Sequence, residues 1–204
     1  MGRGEILQEI SRRIMGCKRC RLWMSRSNAV PGFGNPDAHI LLVGEAPGRS
    51  EDREGKPFVG AAGQLLDRLL AYAGIRRSEV YITNVVKCRP PNNRDPLPDE
   101  VEACACYFDE QVRTINPKLL VCLGRHSTNM ILLKGGNSVV GRRGVSISTV
   151  RGQALRVIYQ GLDLMVFPTY HPAAGLYSLK FKNTLVEDFK RLGALVKELD
   201  LSSS

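Results

Sequence analysis

Four short apolar runs, separated by helical patterns, restrict this chain more than any other feature. Residues 40–43, 80–86, 119–123 and 164–168 are rich in Val, Ile and Leu, and glycine or proline punctuates each of them. Runs this short and this continuously apolar suit strands covered on both faces. Between them lie helical faces. Leu65, Leu66, Leu69, Leu70 and Ala73 form one, stopped by Gly74, and Pro98-Asp99-Glu100 has the proline and acids of a helix start. Further helices are expected over about 127–133 and 181–199, and an amphipathic one over 5–15, with Ile6, Leu7, Ile10 and Ile14 at its spacing. Strands alternating with helices make an α/β protein, a three-layer α/β/α sandwich with a central four-stranded parallel sheet. The basic, β-branched stretch from Gly135-Gly136 to Ile158 reads as a hairpin. The 204 residues suit one domain, 1–204, with an N-terminal segment over 1–37 and a frayed tail over 199–204.

The first strand runs into Gly44-Glu45-Ala46-Pro47-Gly48-Arg49-Ser50-Glu51-Asp52-Arg53-Glu54-Gly55-Lys56-Pro57-Phe58-Val59-Gly60, and helical periodicity resumes only near Gly63. Long loops in compact domains are mostly functional or disordered, and Pro47 and Pro57 stiffen this one. Ligands of open α/β sheets bind beyond the carboxyl ends of the strands, where this loop begins. A solvated acidic loop is the plain alternative.

The formal charge is +9, unevenly placed. Residues 1–30 carry seven Lys/Arg against two acids, and residues 111–162 carry eight with no Asp or Glu. The acids gather in the loops after the first two strands and in the last helix. A basic surface beside a locally acidic pocket suits a polyanion whose reacting group is not its phosphate. No apolar run reaches the length of a membrane span and the N-terminus lacks a signal-peptide core, so an intracellular location is expected. A phosphate-binding NTPase loop is missing from the sequence.

Six cysteines are the next feature. Cys17-Lys18-Arg19-Cys20 at a helix end can share one metal centre, and by itself leaves zinc, iron–sulfur and a redox dithiol open. The βαβ setting of a redox dithiol is missing, and a disulfide framework does not suit an intracellular chain of this size. With Cys88 and Cys104 the set becomes four thiolates, suited to structural zinc or to iron–sulfur alike. Cys106 is two residues from Cys104 and points elsewhere on a helix, and Cys122 reads as core. Of three histidines, His171 directly follows a strand and precedes a proline, whereas His39 and His126 read as structural.

The glycine-rich loop, the Asn84 to Arg94 strand end, the four cysteines and His171-Pro172-Ala173-Ala174 together resemble the family 4 uracil-DNA glycosylases. Those are iron–sulfur enzymes that remove uracil from DNA. The resemblance spans about residues 17–190 and implies the same α/β/α architecture. It implies a 4Fe–4S cluster on Cys17, Cys20, Cys88 and Cys104, holding the basic N-terminal segment near DNA.

It also implies a pocket. Gly44, Ala46, Glu51, Phe58 and Asn84 would bind uracil, with Phe58 stacking on the base and Asn84 reading O4 and N3–H. Glu51 would crowd C5 and exclude thymine. His171 would donate to O2 as charge develops there, and Glu45, supported by Asp52, would position the water. Family 1 relatives carry an aspartate where this chain has Ala46. Leu176 would be the wedge that fills the vacated stack, although Gly175 stands where relatives are often apolar, and Arg89, Arg142 and Arg143 would contact DNA. A Lys-Arg-Arg-Ile-His insertion that leaves related proteins trapped on DNA is missing between Cys88 and Cys104, so turnover is expected. No lysine sits in the motifs to form a Schiff base, so no lyase activity is expected.

The expected activity is hydrolysis of the deoxyuridine N-glycosidic bond, leaving an abasic site and starting base-excision repair. Expected partners are uracil-containing DNA and no membrane, with a sliding clamp left open, and the chain is expected to be a monomer. The rival reading is an iron–sulfur DNA-binding module without catalysis, and a further one is a structural zinc protein acting on nucleotides.

Overall fold

The structure, a computed structural model, describes residues 1–136 and 144–201. Arg142 and Arg143 lie outside the described residues, as do 202–204. In chain order the elements are α1 (Arg3–Met15), β1 (Phe33–Gly34), β2 (Ile40–Gly44), α2 (Arg49–Glu54), α3 (Ala61–Tyr72), β3 (Val80–Asn84), α4 (Pro98–Ile115), β4 (Leu119–Leu123), α5 (Arg125–Lys134), α6 (Ile147–Val150), β5 (Leu155–Tyr159), β6 (Leu162–Thr169), α7 (Ala174–Tyr177) and α8 (Leu179–Glu198).

The sheet order is β1-β3-β2-β4-β6-β5. The four inner strands are parallel, as the apolar runs predict. The two edges correct the four-stranded expectation, because β1 and β5 add to them antiparallel and make a mixed six-stranded sheet. Both edge strands escape the apolar pattern for the same reason. A strand with one side to solvent alternates or is very short, and β5 shows only two buried positions. The β5–β6 hairpin turns on Gln160 and Gly161, both at positive φ, as a two-residue turn of the primed type requires.

Residues of β2, β3 and β4 are buried on both faces, and their alternation divides the core in two. Leu41, Val43, Leu120 and Cys122 pack with α1, α4 and α5, while Ile40, Leu42, Leu119 and Val121 pack with α3 and α8. Cys122 is a core residue. The chain leaves β2 for β3 on one side and later enters β4 on the other. The carboxyl ends of β2 and β4 are therefore the switch point where a crevice opens.

Two local expectations change. The loop after β2 contains a helix, α2, with Glu51 and Asp52 in its first turn and Gly55 at φ 69° ending it. At the C-terminus, residues 199–201 do not fray. Asp200 turns at φ 51°, the Leu201 N–H donates to the Val196 carbonyl at 2.9 Å, and Leu201 is buried against α8.

Candidate active site

The carboxyl ends of the inner strands surround a cavity of about 290 Å³. That is at the small end for ligand sites, about 300–1,000 Å³, and suits one small ring rather than a dinucleotide. Glu45, Ala46, Glu51, Phe58, Asn84 and His171 all line it. Residues from four separate segments thus meet at one cavity.

Gly44 and Asn84 are paired across β2 and β3. Asn84 is 2% exposed, and its side-chain oxygen Oδ1 is buried without a hydrogen-bond partner among the described residues. An unsatisfied buried acceptor costs about 1–3 kcal/mol, so a site that retains one is built for a donor from outside. Lys87 fixes the backbone beneath it: the buried ammonium donates to the Asn84 carbonyl, to Thr83 Oγ1 and to Gln111 Oε1, each at 2.7 Å.

Phe58 is held in a backbone conformation that a bulky residue seldom adopts, φ 52°. Three contacts hold it there. Arg77 Nη2 donates to the Pro57 and Phe58 carbonyls at 3.0 Å each, and Glu51 Oε1 accepts from the Val59 and Gly60 amides at 3.0 and 2.9 Å. The third is the bare Cα of Gly63, where a Cβ would lie 2.0 Å from the Phe58 carbonyl oxygen. The result is a ring stacked near His171, centroids 5.6 Å apart and planes 29° from parallel. Glu51 therefore lines the cavity while its carboxylate also anchors the loop that carries the ring.

His171 lies in the turn after β6, and the Ala173 N–H donates to its Nδ1 at 3.1 Å. That bond makes Nδ1 the acceptor and leaves the proton on Nε2. Burial drives the imidazole pKa down to about 4, against a small opposing pull from Glu51, so the ring is neutral near pH 7.

Glu45 lies half-buried on the wall of the cavity, and burial raises its pKa, with Asp95 adding to the rise and His126 and Arg125 opposing it. Asp52 is a correction. Its carboxylate is buried and faces away from the cavity, accepting from the Ser27 amide at 3.0 and 3.1 Å and from the Asn28 amide at 3.4 Å. It ties α2 to the N-terminal segment. His126 is the opposite case. It reads as structural in the sequence, yet its Nε2 lies 3.6 Å from Glu45 Oε2 and 3.1 Å from Asp95 Oδ2. Its position just after β4 and Gly124, on the same sheet edge as the other site residues, is the signal that could have found it. Arg77 gives no such signal, being 19 residues from the ring it clamps.

Cys17, Cys20, Cys88 and Cys104 line one small cavity beneath the same sheet edge, with Lys87, Trp23 and Tyr107. Arg26 Nη1 donates to Cys88 Sγ at 2.9 Å and the Lys87 amide to Cys104 Sγ at 3.3 Å. Burial raises the pKa of Cys20 and Cys88, and takes that of Cys104 to about 12. Such thiols ionise only with a cationic centre among them. Among the described residues no three of these sulfurs lie within 4.8 Å of one another. Four thiolates around one cavity suit structural zinc or an iron–sulfur cluster alike. Cys106 is not among the residues lining this cavity and accepts from Arg19 Nη1 at 2.9 Å.

The rim is basic and apolar. Arg89 Nε donates to Asn93 Oδ1 at 2.7 Å beside the cavity, and Leu176, Tyr177 and Leu179 are exposed just after the His171 turn. No helix among the described residues is long and apolar enough to cross a membrane.

Comparison with known proteins agrees with this geometry. The sequence model of the Uracil DNA glycosylase superfamily matches residues 31–192. The chain is 51% identical over 190 residues to a Type-4 uracil-DNA glycosylase of Sulfurisphaera tokodaii, covering 93% of this chain and 84% of the relative. The Type-4 uracil-DNA glycosylase of Archaeoglobus fulgidus is 48% identical over 94% of each chain. That of Thermotoga maritima is 41% identical over 96% of this chain and 97% of its own.

Proposed function

This chain belongs to the uracil-DNA glycosylase superfamily, and on that premise we infer that it is a monofunctional type-4 uracil-DNA glycosylase. It hydrolyses the bond between uracil and deoxyribose in DNA, releasing uracil and leaving an abasic site for base-excision repair. The observation that carries the reading is the orphaned, buried Oδ1 of Asn84. Uracil presents an N3–H donor beside its O4 acceptor, which a fixed side-chain amide matches as a pair. Cytosine presents an acceptor at N3 and a donor at C4 and would leave both amide atoms opposed.

The bond is shielded in duplex DNA, so the nucleotide must leave the stack. Leu176 and Tyr177 are exposed and would fill the gap, and the Phe58 face would support the base, a contact worth about 1–3 kcal/mol. As the N1–C1′ bond breaks, its electron pair passes into the uracil ring. The neutral His171 donates from Nε2 to O2, where that charge collects, and Glu45 stabilises the cationic sugar and orients the water that adds to C1′. The departing uracil anion takes its proton from solvent.

Cys17, Cys20, Cys88 and Cys104 would hold a 4Fe–4S cluster, whose contribution is structural, pinning the N-terminal segment and the loop after β3. Arg89 at the cavity rim meets the DNA backbone. In this reading it acts as a monomer.

The test is incubation with an oligonucleotide containing one uracil, followed by hot alkali to break abasic sites, with thymine and cytosine controls. Cleavage confined to the uracil strand is expected. No cleavage by protein that still binds DNA would favour a binding module instead.

A further inference from the structure

Glu45 enters the site with its backbone fixed and its side chain not. The Val86 N–H donates to its carbonyl at 3.0 Å, which continues the β2–β3 pairing by two residues. Its side chain stands between two hollows, the base cavity and an outer groove lined by Val85, Val101, His126 and Met130. The nearest side-chain donor to its carboxylate among the described residues is His126 Nε2, at 3.6 Å, beyond hydrogen-bond distance. A half-buried carboxylate in that state tends to take a proton or to swing toward water, and either would remove it from the reaction.

We propose that His126 is the positioning residue that prevents this: held by Asp95 and Arg125, its imidazole keeps Glu45 ionised and turned toward the sugar. The proposal rests on the reading of Glu45 as the group that handles the water. The geometry gives His126 two arrangements. As a neutral ring its Nε2 accepts from Arg125 Nε at 3.1 Å. As a cation its Nε2–H faces Asp95 Oδ2 at 3.1 Å and Glu45 Oε2 at 3.6 Å, while Arg125 Nη2 keeps Asp95 at 2.5 Å.

His126 stands in the first turn of α5, whose dipole weakly opposes a positive charge there. Asp95 Oδ2 and Glu45 Oε2 lie 3.1 and 3.6 Å from its Nε2, and the Arg125 guanidinium lies 3.1 Å from the same nitrogen. Other charges are farther out. Glu102 of α4 and Lys134 of α5 line the outer groove, and Glu51, Arg94 and His171 line the inner one. The trio of Glu45, Asp95 and His126 could also gather a cation, but the Arg125 guanidinium already stands against two of its members. Asp95 lies in the loop between β3 and α4, so the His126 contact also fastens that loop behind Glu45.

The experiment is single-turnover uracil excision from about pH 5 to pH 9 for the wild type, His126→Ala, His126→Gln and Glu45→Gln, with affinity for an abasic-site analogue measured alongside. His126→Ala is expected to be about 10- to 100-fold slower with DNA affinity kept, and the acidic limb of its profile should move to higher pH. His126→Gln should recover part of the rate near neutrality, by restoring a donor, while its limb stays displaced. An acidic limb at the wild-type position in both His126 variants would overturn the proposal. Should His126→Ala melt early, the His126→Gln limb alone decides. A fully active Glu45→Gln would instead remove the reading of Glu45 beneath it.

Discussion

A Cβ added to Gly44 would lie 2.3 Å from Asn84 Oδ1 and 2.9 Å from the Phe58 ring. The two residues that would recognise the base therefore close over a position where only glycine fits. Gly44→Ala should drive Asn84 and Phe58 apart and slow uracil excision by about 100-fold or more, since a displacement of about 1 Å costs that much. The added methyl should also cost about 1–3 kcal/mol of stability, read as a lower urea midpoint. Unchanged excision kinetics in the Gly44→Ala enzyme would separate Asn84 and Phe58 from the base.

Replacing the Asn84 amide by a carboxyl tests recognition more directly. Asn84→Asp loses the amide donor for O4 and sets an acceptor-rich group in a buried place. Excision of uracil should fall by about 1–3 kcal/mol of transition-state stabilisation, roughly 5- to 150-fold in kcat/KM. The ratio of uracil to cytosine excision should narrow at the same time. An unchanged ratio would contradict the assignment of Asn84 as the reading residue.

The inner sheet and most of the site can be read in the sequence because both rest on local signals. Residues 119–123 are apolar throughout because helices cover both faces of β4, and Asn84 and His171 stand where strands stop. The features that escape are those set by distant contacts. The β1 strand is two residues long and exists only by pairing with Ile82 and Tyr81. Asp52 sits in a glycine-rich motif beside Glu51, yet one helical step turns it to the N-terminal segment while Glu51 faces the cavity. His126 opens a helix, a common structural place, and only the fold brings Glu45 and Asp95 to it.

The cysteine cavity yields a compositional prediction. Purified protein should be brown and contain iron and acid-labile sulfide in equal amounts, without stoichiometric zinc. Cys104→Ala should lose the colour and free the N-terminal segment, because Cys17 and Cys20 would no longer be tethered to α4 and the loop after β3. Trypsin should then cut within Lys18 to Arg21 much faster than in the wild type. A colourless wild-type protein with one zinc per chain would overturn the cluster assignment.

His171 gives the pH dependence. Its pKa in the folded chain is lowered to about 4 by burial, against 6.5 for the free side chain. Between those values the unfolded chain binds a proton that the folded chain does not, so stability falls as pH drops from about 6.5 toward 4. The loss at the acid end is on the order of 3 kcal/mol. His171→Leu removes the titrating group and should melt with less change across that window, measured as melting temperature against pH. The same low value keeps the ring neutral and its Nε2 proton in place across the working range. The acidic limb of excision should therefore not report a group titrating near 6.5 at this position. An imidazole resonance of His171 titrating near 6.5 in the free enzyme would show that the ring is charged in mild acid, and donation from a neutral imidazole would have to be abandoned.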